Sequence, residues 1–208
     1  MKKLIYIMNP MCGWCFGNSK SFEELYENYK NKVEIEVCLG EMWLKNDAPY
    51  GSNALKHFVV SDAVRLKEIT KQSPSQKFFD LAGDSSYRLD SYFPTSAMMA
   101  IKKIDHAKFV TFIQLVQQRL FIDGFKLDAI EAYEDILKKL SIDLNEFKKL
   151  WLSDENLHEL QEDFSKAKLL TSSYPTLLLQ DDEDTQVLAR GYFKYEDMEK
   201  ILITKMTA

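Results

Sequence analysis

Two cysteines two residues apart, Cys12 and Cys15, stand in the run Asn9-Pro10-Met11-Cys12-Gly13-Trp14-Cys15, directly after the apolar stretch Leu4 to Met8. The spacing alone would serve half a zinc site equally well, but the context is that of thiol-disulfide exchange. A strand that runs through C-x-x-C into a helix leaves the first cysteine at the helix N-terminus. There, unpaired backbone N–H groups and the positive end of the helix dipole favour a thiolate, the nucleophile of disulfide exchange. Cys12 is thus expected to attack, and Cys15, one helical turn further in, to resolve the mixed disulfide that Cys12 forms with a partner. A zinc site wants four ligands. The third cysteine, Cys38, falls on a strand, and His57, His106 and His158 are scattered through helical segments without ligand spacing. No metal or cofactor is expected. Cys38 reads as a small half-buried side chain and the histidines as surface residues.

The elements that must position this pair are legible in the hydrophobic pattern. Lys3 to Met8 reads as a buried strand and Ser19 to Lys30 as a helix, with Phe22, Leu25, Tyr26 and Tyr29 on one face. Val33 to Leu39 alternates strictly, placing Val33, Ile35, Val37 and Leu39 on one side and Glu34, Glu36 and Cys38 on the other, as in a half-exposed strand. From about Ser52 to Thr171 helical periodicity dominates. It begins with Ser61 to Ile69, passes Ser73-Pro74-Ser75-Gln76, which reads as a capping box with proline at the first helical position, and resumes after Pro94. The clearest helix spans about His106 to Ile122; the next carries Ile130, Tyr133, Leu137 and Leu140, another starts between Asp143 and Glu146, and a last one carries Leu157, Leu160, Phe164 and Ala167. Strand character then returns in Pro175 to Gln180 and Gln186 to Arg190, joined by the acidic turn Asp181 to Thr185 and followed by a closing helix, Tyr195 to Lys205. No repeat or Gly/Ser-rich linker sets the helical block apart, so it reads as an insertion.

The 208 residues are 46% hydrophobic, enough for a proper core. With 28% charged residues, a net charge of −5 and no basic block, nucleic acid is not an expected partner. The apolar run after Lys2 and Lys3 is too short for a signal peptide and no window approaches a membrane span, so the expected address is the cytoplasm, with no membrane partner. Three cysteines are no disulfide framework. A reducing compartment would hold Cys12 and Cys15 as a dithiol between turnovers, which favours reduction or isomerisation over net oxidation.

The order of these features resembles the thioredoxin fold as elaborated in the DsbA family: an α/β fold with a large all-helical insertion. Met8-Asn9-Pro10-Met11-Cys12-Gly13-Trp14-Cys15 and Tyr174-Pro175-Thr176-Leu177 are most similar to FrnE-like proteins and predicted cytoplasmic protein-disulfide isomerases, and Asp90 to Ile101 resembles theirs more weakly. On this reading residues 1–51 and 172–208 form the thioredoxin-fold domain and 52–171 the inserted helical domain. The resemblance implies a cis bond before Pro175 and a backbone at Tyr174 free to pair with an extended substrate chain. It also implies two departures. The acid that relatives often keep six residues before the attacking cysteine is here Tyr6, which leaves the proton acceptor unassigned. The intervening dipeptide is Gly13-Trp14 in place of the Pro-His of strongly oxidising relatives, which implies a milder, more reducing couple.

The expected function is therefore that of a thiol-disulfide oxidoreductase, a protein disulfide reductase or isomerase. Cys12 and Cys15 would be catalytic, and Met11, Trp14, Tyr174 and Pro175 would bind substrate. Met11 and Trp14 could equally be core residues; Met98 and Met99 read as packing. The partners would be a disulfide-containing protein or peptide and an unidentified reductant, with glutathione a candidate co-substrate; the oligomeric state is not legible. Two other classes compete. One is a redox-silent interaction module on the same fold. The other is a glutathione-dependent isomerase or transferase similar to the 2-hydroxychromene-2-carboxylate isomerases, which typically carry serine where Cys12 stands.

Overall fold

The computed structural model describes residues 2–182 and 184–207. β1 (Lys3–Met8) leads into α1 (Gly13–Tyr29) and β2 (Glu34–Leu39). Seven helices follow: α2 (Asn53–Thr70), α3 (Gln76–Gly83), α4 (Tyr92–Ile104), α5 (Phe109–Phe121), α6 (Glu131–Lys139), α7 (Leu144–Trp151) and α8 (Asp154–Leu170). The chain then returns through β3 (Thr176–Gln180), β4 (Thr185–Arg190) and α9 (Tyr195–Thr207). The strands form one sheet in the order β2-β1-β3-β4, with β2 parallel to β1 and β3 antiparallel to it. This is a thioredoxin-like α/β fold in which α2 to α8 interrupt the chain between β2 and β3. Among the described residues no helix is long and apolar enough to cross a membrane.

β1 lies at the centre and is apolar on both faces, as a covered strand must be. Leu4, Tyr6 and Met8 join the main buried cluster with Phe22 and Leu25 of α1, and that cluster continues into Phe112, Tyr133 and Phe147 of the helical block. Ile5 and Ile7 face the other way, with Cys38, Ala167 and Leu178. α4 is the buried axis of the block: Pro94 through Ile101, Met98 and Met99 included, are all buried, and the helix packs on α5, α7 and α8. The periodicity of α7 and its cap agree, since the Asp143 side chain accepts from the Glu146 N–H at 2.8 Å.

Two local expectations are corrected. β2 is not half-exposed along its length, because α8 packs over its outward face and leaves Cys38 with no exposed surface rather than half-buried. Alternation marks which residues share a face, not what a helix more than a hundred residues later will lay across it. Ser73 to Gln76 is not a capping box: α3 starts at Gln76 with Ser75 as N-cap, and Ser75 makes no side-chain cap bond. Its hydroxyl donates instead to the Ile122 carbonyl at 2.6 Å, so a tertiary bond to the end of α5 replaces the local cap. In the acidic turn between β3 and β4, Glu183 lies outside the described residues.

Candidate active site

β1 ends at Met8 and the chain turns through Asn9 to Cys12. Asn9 is fully buried and fixes this turn: its Oδ1 accepts from the Met11 N–H at 2.9 Å, and its Nδ2 donates to the Gly40 carbonyl at 2.8 Å and to Ser91 Oγ at 3.2 Å. Ser91 Oγ in turn donates to the Met42 carbonyl. The end of β1, the loop after β2 and the start of α4 are thereby tied at one point. Cys12 is then the N-cap of α1, with extended backbone (φ −75°, ψ 117°), and its sulfur accepts from the Cys15 N–H at 3.4 Å. Serine, threonine and aspartate do this with oxygen at many helix starts; here the acceptor is a sulfur.

The two sulfurs are held in unequal states. Cys12 keeps 9% of its surface exposed against 1% for Cys15. The Cys12 thiol is drawn below its ordinary value, first by a hydrogen bond from the Cys15 thiol and then by the N–H groups of Cys15 and Trp14, which together outweigh burial; Asp62 opposes them weakly. Burial, and the negative charge that Cys12 would carry, push Cys15 well above its ordinary value. The pair therefore has one thiol shifted toward the thiolate and one held toward the protonated form.

Opposite the cysteines comes the start of β3. The Tyr174–Pro175 peptide bond is cis. The Tyr174 carbonyl oxygen lies 3.7 Å from Cys12 Sγ. The Tyr174 ring, half-buried, lies against Gly40, where any Cβ would overlap it. Met11, Cys12 and Trp14 line an apolar groove of about 290 Å³, closed on its other sides by Met42, Trp43 and Phe58 and bordered by Asp62. Trp14 is half-buried under the Arg65 guanidinium, 5.6 Å from its ring centroid, and Phe58 stands 62% exposed at the rim. All six residues expected at the site thus converge: Cys12, Cys15, Met11 and Trp14 at the start of α1, Tyr174 and Pro175 across from them.

A family model for thioredoxin matches residues 5–200. The chain belongs to the thioredoxin family. No curated protein sequence matches it. Among solved structures, this thioredoxin-family chain is similar to a protein from Nitrosomonas europaea provisionally described as a protein disulfide isomerase, at 19% identity and TM-score 0.86, covering 99% of this chain and 98% of that one. It is also similar to the cytosolic disulfide reductase DsbM from Pseudomonas aeruginosa, at 22% identity and TM-score 0.80, covering 99% and 98%. DsbM has also been solved with GSH. A 2-hydroxychromene-2-carboxylate isomerase shares the fold more distantly, at 10% identity and TM-score 0.60, covering 99% and 94%. At these identities the likeness establishes the fold, a DsbA-like elaboration of thioredoxin.

The remaining cysteine stands apart. Cys38, Glu36 and Asp163 bring three potential ligand atoms within 4.8 Å of one another. The same carboxylates already carry ammonium partners: Glu36 pairs with Lys166 and Lys3 (2.5 and 2.6 Å), and Asp163 with Lys102 (3.4 Å). The cluster is explained as an ion-pair network that closes α8 over β2. His57, His106 and His158 are all exposed, as surface residues should be. Sequence reasoning missed Asn9, Gly40, Ser91 and the groove residues Met42, Trp43, Phe58 and Asp62. Only Asn9 had a local signal, an Asn two residues before a turn N–H that it can accept; the others act across the fold.

Proposed function

We propose that this protein is a thiol-disulfide oxidoreductase working in the reducing direction on disulfides flanked by large apolar side chains. The observation that carries the reading is the Cys12 sulfur held as the N-cap of α1, in the lining of an apolar groove and facing the Tyr174 carbonyl. The Cys12 thiolate attacks one sulfur of a substrate disulfide and releases the other as a thiol. Cys15 then attacks the mixed disulfide, releasing the second substrate thiol and leaving Cys12 and Cys15 joined. In isomerisation another thiol of the substrate attacks the substrate's own sulfur in the mixed disulfide, forming a new substrate disulfide and releasing Cys12 as the thiolate, and Cys15 stays reduced. In reduction, two electrons pass to the substrate and a thiol reductant must return them; glutathione is the reductant we favour, in line with the GSH-bound form of DsbM. Such a cycle suits a reducing compartment, the cytoplasm in the first instance.

The groove favours protein substrates. Its lining is mostly apolar, aromatic and aliphatic with two thioethers, surfaces that would grip an unfolded segment's apolar side chain, and the backbone at Tyr174 would bond an extended chain. Reduction of insulin by the wild-type protein with glutathione, compared with Cys12→Ser, tests the reading. The wild type should reduce insulin and the variant should not. Full activity of Cys12→Ser would overturn it.

A further inference from the structure

Behind Cys15, on the side away from the groove, lies a second and much smaller cavity of about 10 Å³, lined by Tyr6, Cys15, Phe22, Ile113 and Gln117 among others. That is room for about one water. Gln117 of α5 is 2% exposed, and its amide nitrogen is one of the few buried polar atoms with no hydrogen-bond partner among the described residues. A buried amide N–H left unpaired is costly, so native proteins seldom keep one without a water to receive it. Tyr6, also buried at 2%, accepts from Asn18 Nδ2 at 3.3 Å, which leaves its own proton without an acceptor among the described residues. Two donors and one sulfur therefore converge on a space the size of one water.

We propose that this cavity holds a structural water, fixed by Gln117 and Tyr6, which hydrogen-bonds to Cys15 and stabilises the negative charge that develops on its sulfur during resolution of the mixed disulfide. The proposal deepens the oxidoreductase reading and rests on it. The water accepts from the Gln117 N–H and the Tyr6 O–H, so both its own protons remain free to donate, one of them to Cys15 Sγ. In the step itself the Cys15 S–H bond breaks as its sulfur bonds to Cys12 Sγ, the bond from Cys12 to the substrate sulfur breaks, and the departing sulfur takes the electron pair and the proton. No further reactant is needed. Gln117 is a positioning residue, since it acts through the water. The titratable groups that face Cys15 are Cys12, Tyr6 and Tyr174, and α5 presents only Val110, Ile113, Gln114 and Gln117 to the cavity. Burial holds both tyrosines above their ordinary values, so they stay protonated where the enzyme would work. A water held by neutral donors would stand where relatives keep an acid.

The test separates the two thiols with 5,5′-dithiobis(2-nitrobenzoate). Cys12 releases one nitrothiobenzoate and retains the other as a mixed disulfide; Cys15 then expels the second, and both phases are followed by absorbance from pH 6 to 10. In Gln117→Met, which keeps the volume and removes the donor, the second phase should slow about 10-fold relative to the first, the upper end of what one hydrogen bond contributes net. Its pH dependence should also move upward. Tyr6→Phe, which keeps the ring, should slow it about 3-fold, and it serves as the second variant if Gln117→Met does not fold. Wild-type rates and pH profile in either folded variant would overturn the proposal, as would a high-resolution crystal structure showing the cavity empty. A wild-type protein with no Cys15-dependent second phase would instead overturn the oxidoreductase reading, and this inference with it.

Discussion

Cys12 and Cys38 stand near the same end of the sheet: Cys38 on β2 pairs in register with Ile7, one residue from the end of β1, and Cys12 caps α1 four residues after Met8. Both are buried, yet the fold drives their thiols in opposite directions. Cys12 is lowered because the Cys15 thiol and the first N–H groups of α1 point at its sulfur. Cys38 is pushed up to about 12, by burial first and then by the carboxylates of Asp163 and Glu36, and its own S–H donates to the Asp163 carbonyl at 3.4 Å. Burial alone thus says little about a cysteine. What decides its chemistry is the sign of the dipoles and charges around the sulfur: donors at a helix start favour the thiolate, whereas an acceptor and two acids favour the thiol.

The sharpest way to break this contrast is alkylation. In the reduced, folded protein at pH 7.5, iodoacetamide should modify Cys12 faster than Cys38 by about three orders of magnitude, because the thiolate fractions differ by at least that much. Peptide mass analysis over time gives both rates, and comparable rates would remove the distinction. A smaller effect is expected from Gly40→Ala. The new methyl group must displace the Tyr174 ring from its place beside the end of β2. Insulin reduction should fall about 10-fold, less than the roughly 100-fold that a 1 Å misplacement of reacting groups can cost. The reaction of Cys12 with a small aromatic disulfide should change much less, and equal losses for both would show that Tyr174 does not hold the substrate chain.

On the Cys38 side the acids themselves can be tested. Burial works against ionising Glu36, but Lys166 and Lys3 outweigh it and hold the carboxyl below its ordinary value. A lowered folded-state value means that this stabilisation is in full force above about pH 4.5, the ordinary glutamate range, and is lost as pH falls through the folded value. Glu36→Gln should therefore cost about 1–2 kcal/mol in urea unfolding at pH 7, between an exposed and a buried pair. It should also flatten the loss of stability below pH 4.5. Equal acid sensitivity in the two proteins would show that the pairs contribute nothing. The smallest effect belongs to Asp62. Its charge raises the Cys12 thiol slightly against the helix donors. Asp62→Asn should shift the Cys12 titration, followed by thiolate absorbance near 240 nm, downward by a small amount, and an upward shift would contradict the placement of Asp62 beside that sulfur.

Much of the architecture was legible because it is local. β1, the helix after the C-x-x-C motif, the strict alternation of β2 and the apolar stripe of α5 all follow from periods of 2.0 and 3.6 in the chain. The motif with its strand-to-helix context carried Cys12 and Cys15, and the resemblance supplied Tyr174 and Pro175. What failed did so for one reason. Ser75 turned from a cap to the Ile122 carbonyl, Cys38 disappeared under α8, and Gly40 matters only because Tyr174 arrives beside it; in each case the deciding partner comes from far along the chain. The groove beside Cys12 has the same character, since Met11 and Trp14 of one segment meet Met42, Trp43 and Phe58 of two others.

By itself the sequence determined which thiol would sit at a helix start, because helix-terminal N–H groups are unpaired wherever a helix begins. It also pointed to the class of fold, because the order of strand, helix, strand, helical block and returning strands resembles the DsbA-type thioredoxin fold, an order that covers both faces of one sheet. Only the tertiary structure decided what surrounds each sulfur. The Tyr174 carbonyl reaches Cys12 from 162 residues away, and the Asp163 side chain reaches the backbone of Leu39, beside Cys38, from 124. The fields that set a thiol's chemistry fall off within a few ångströms. They are therefore properties of neighbours in space, and a sequence pattern records neighbours only along the chain.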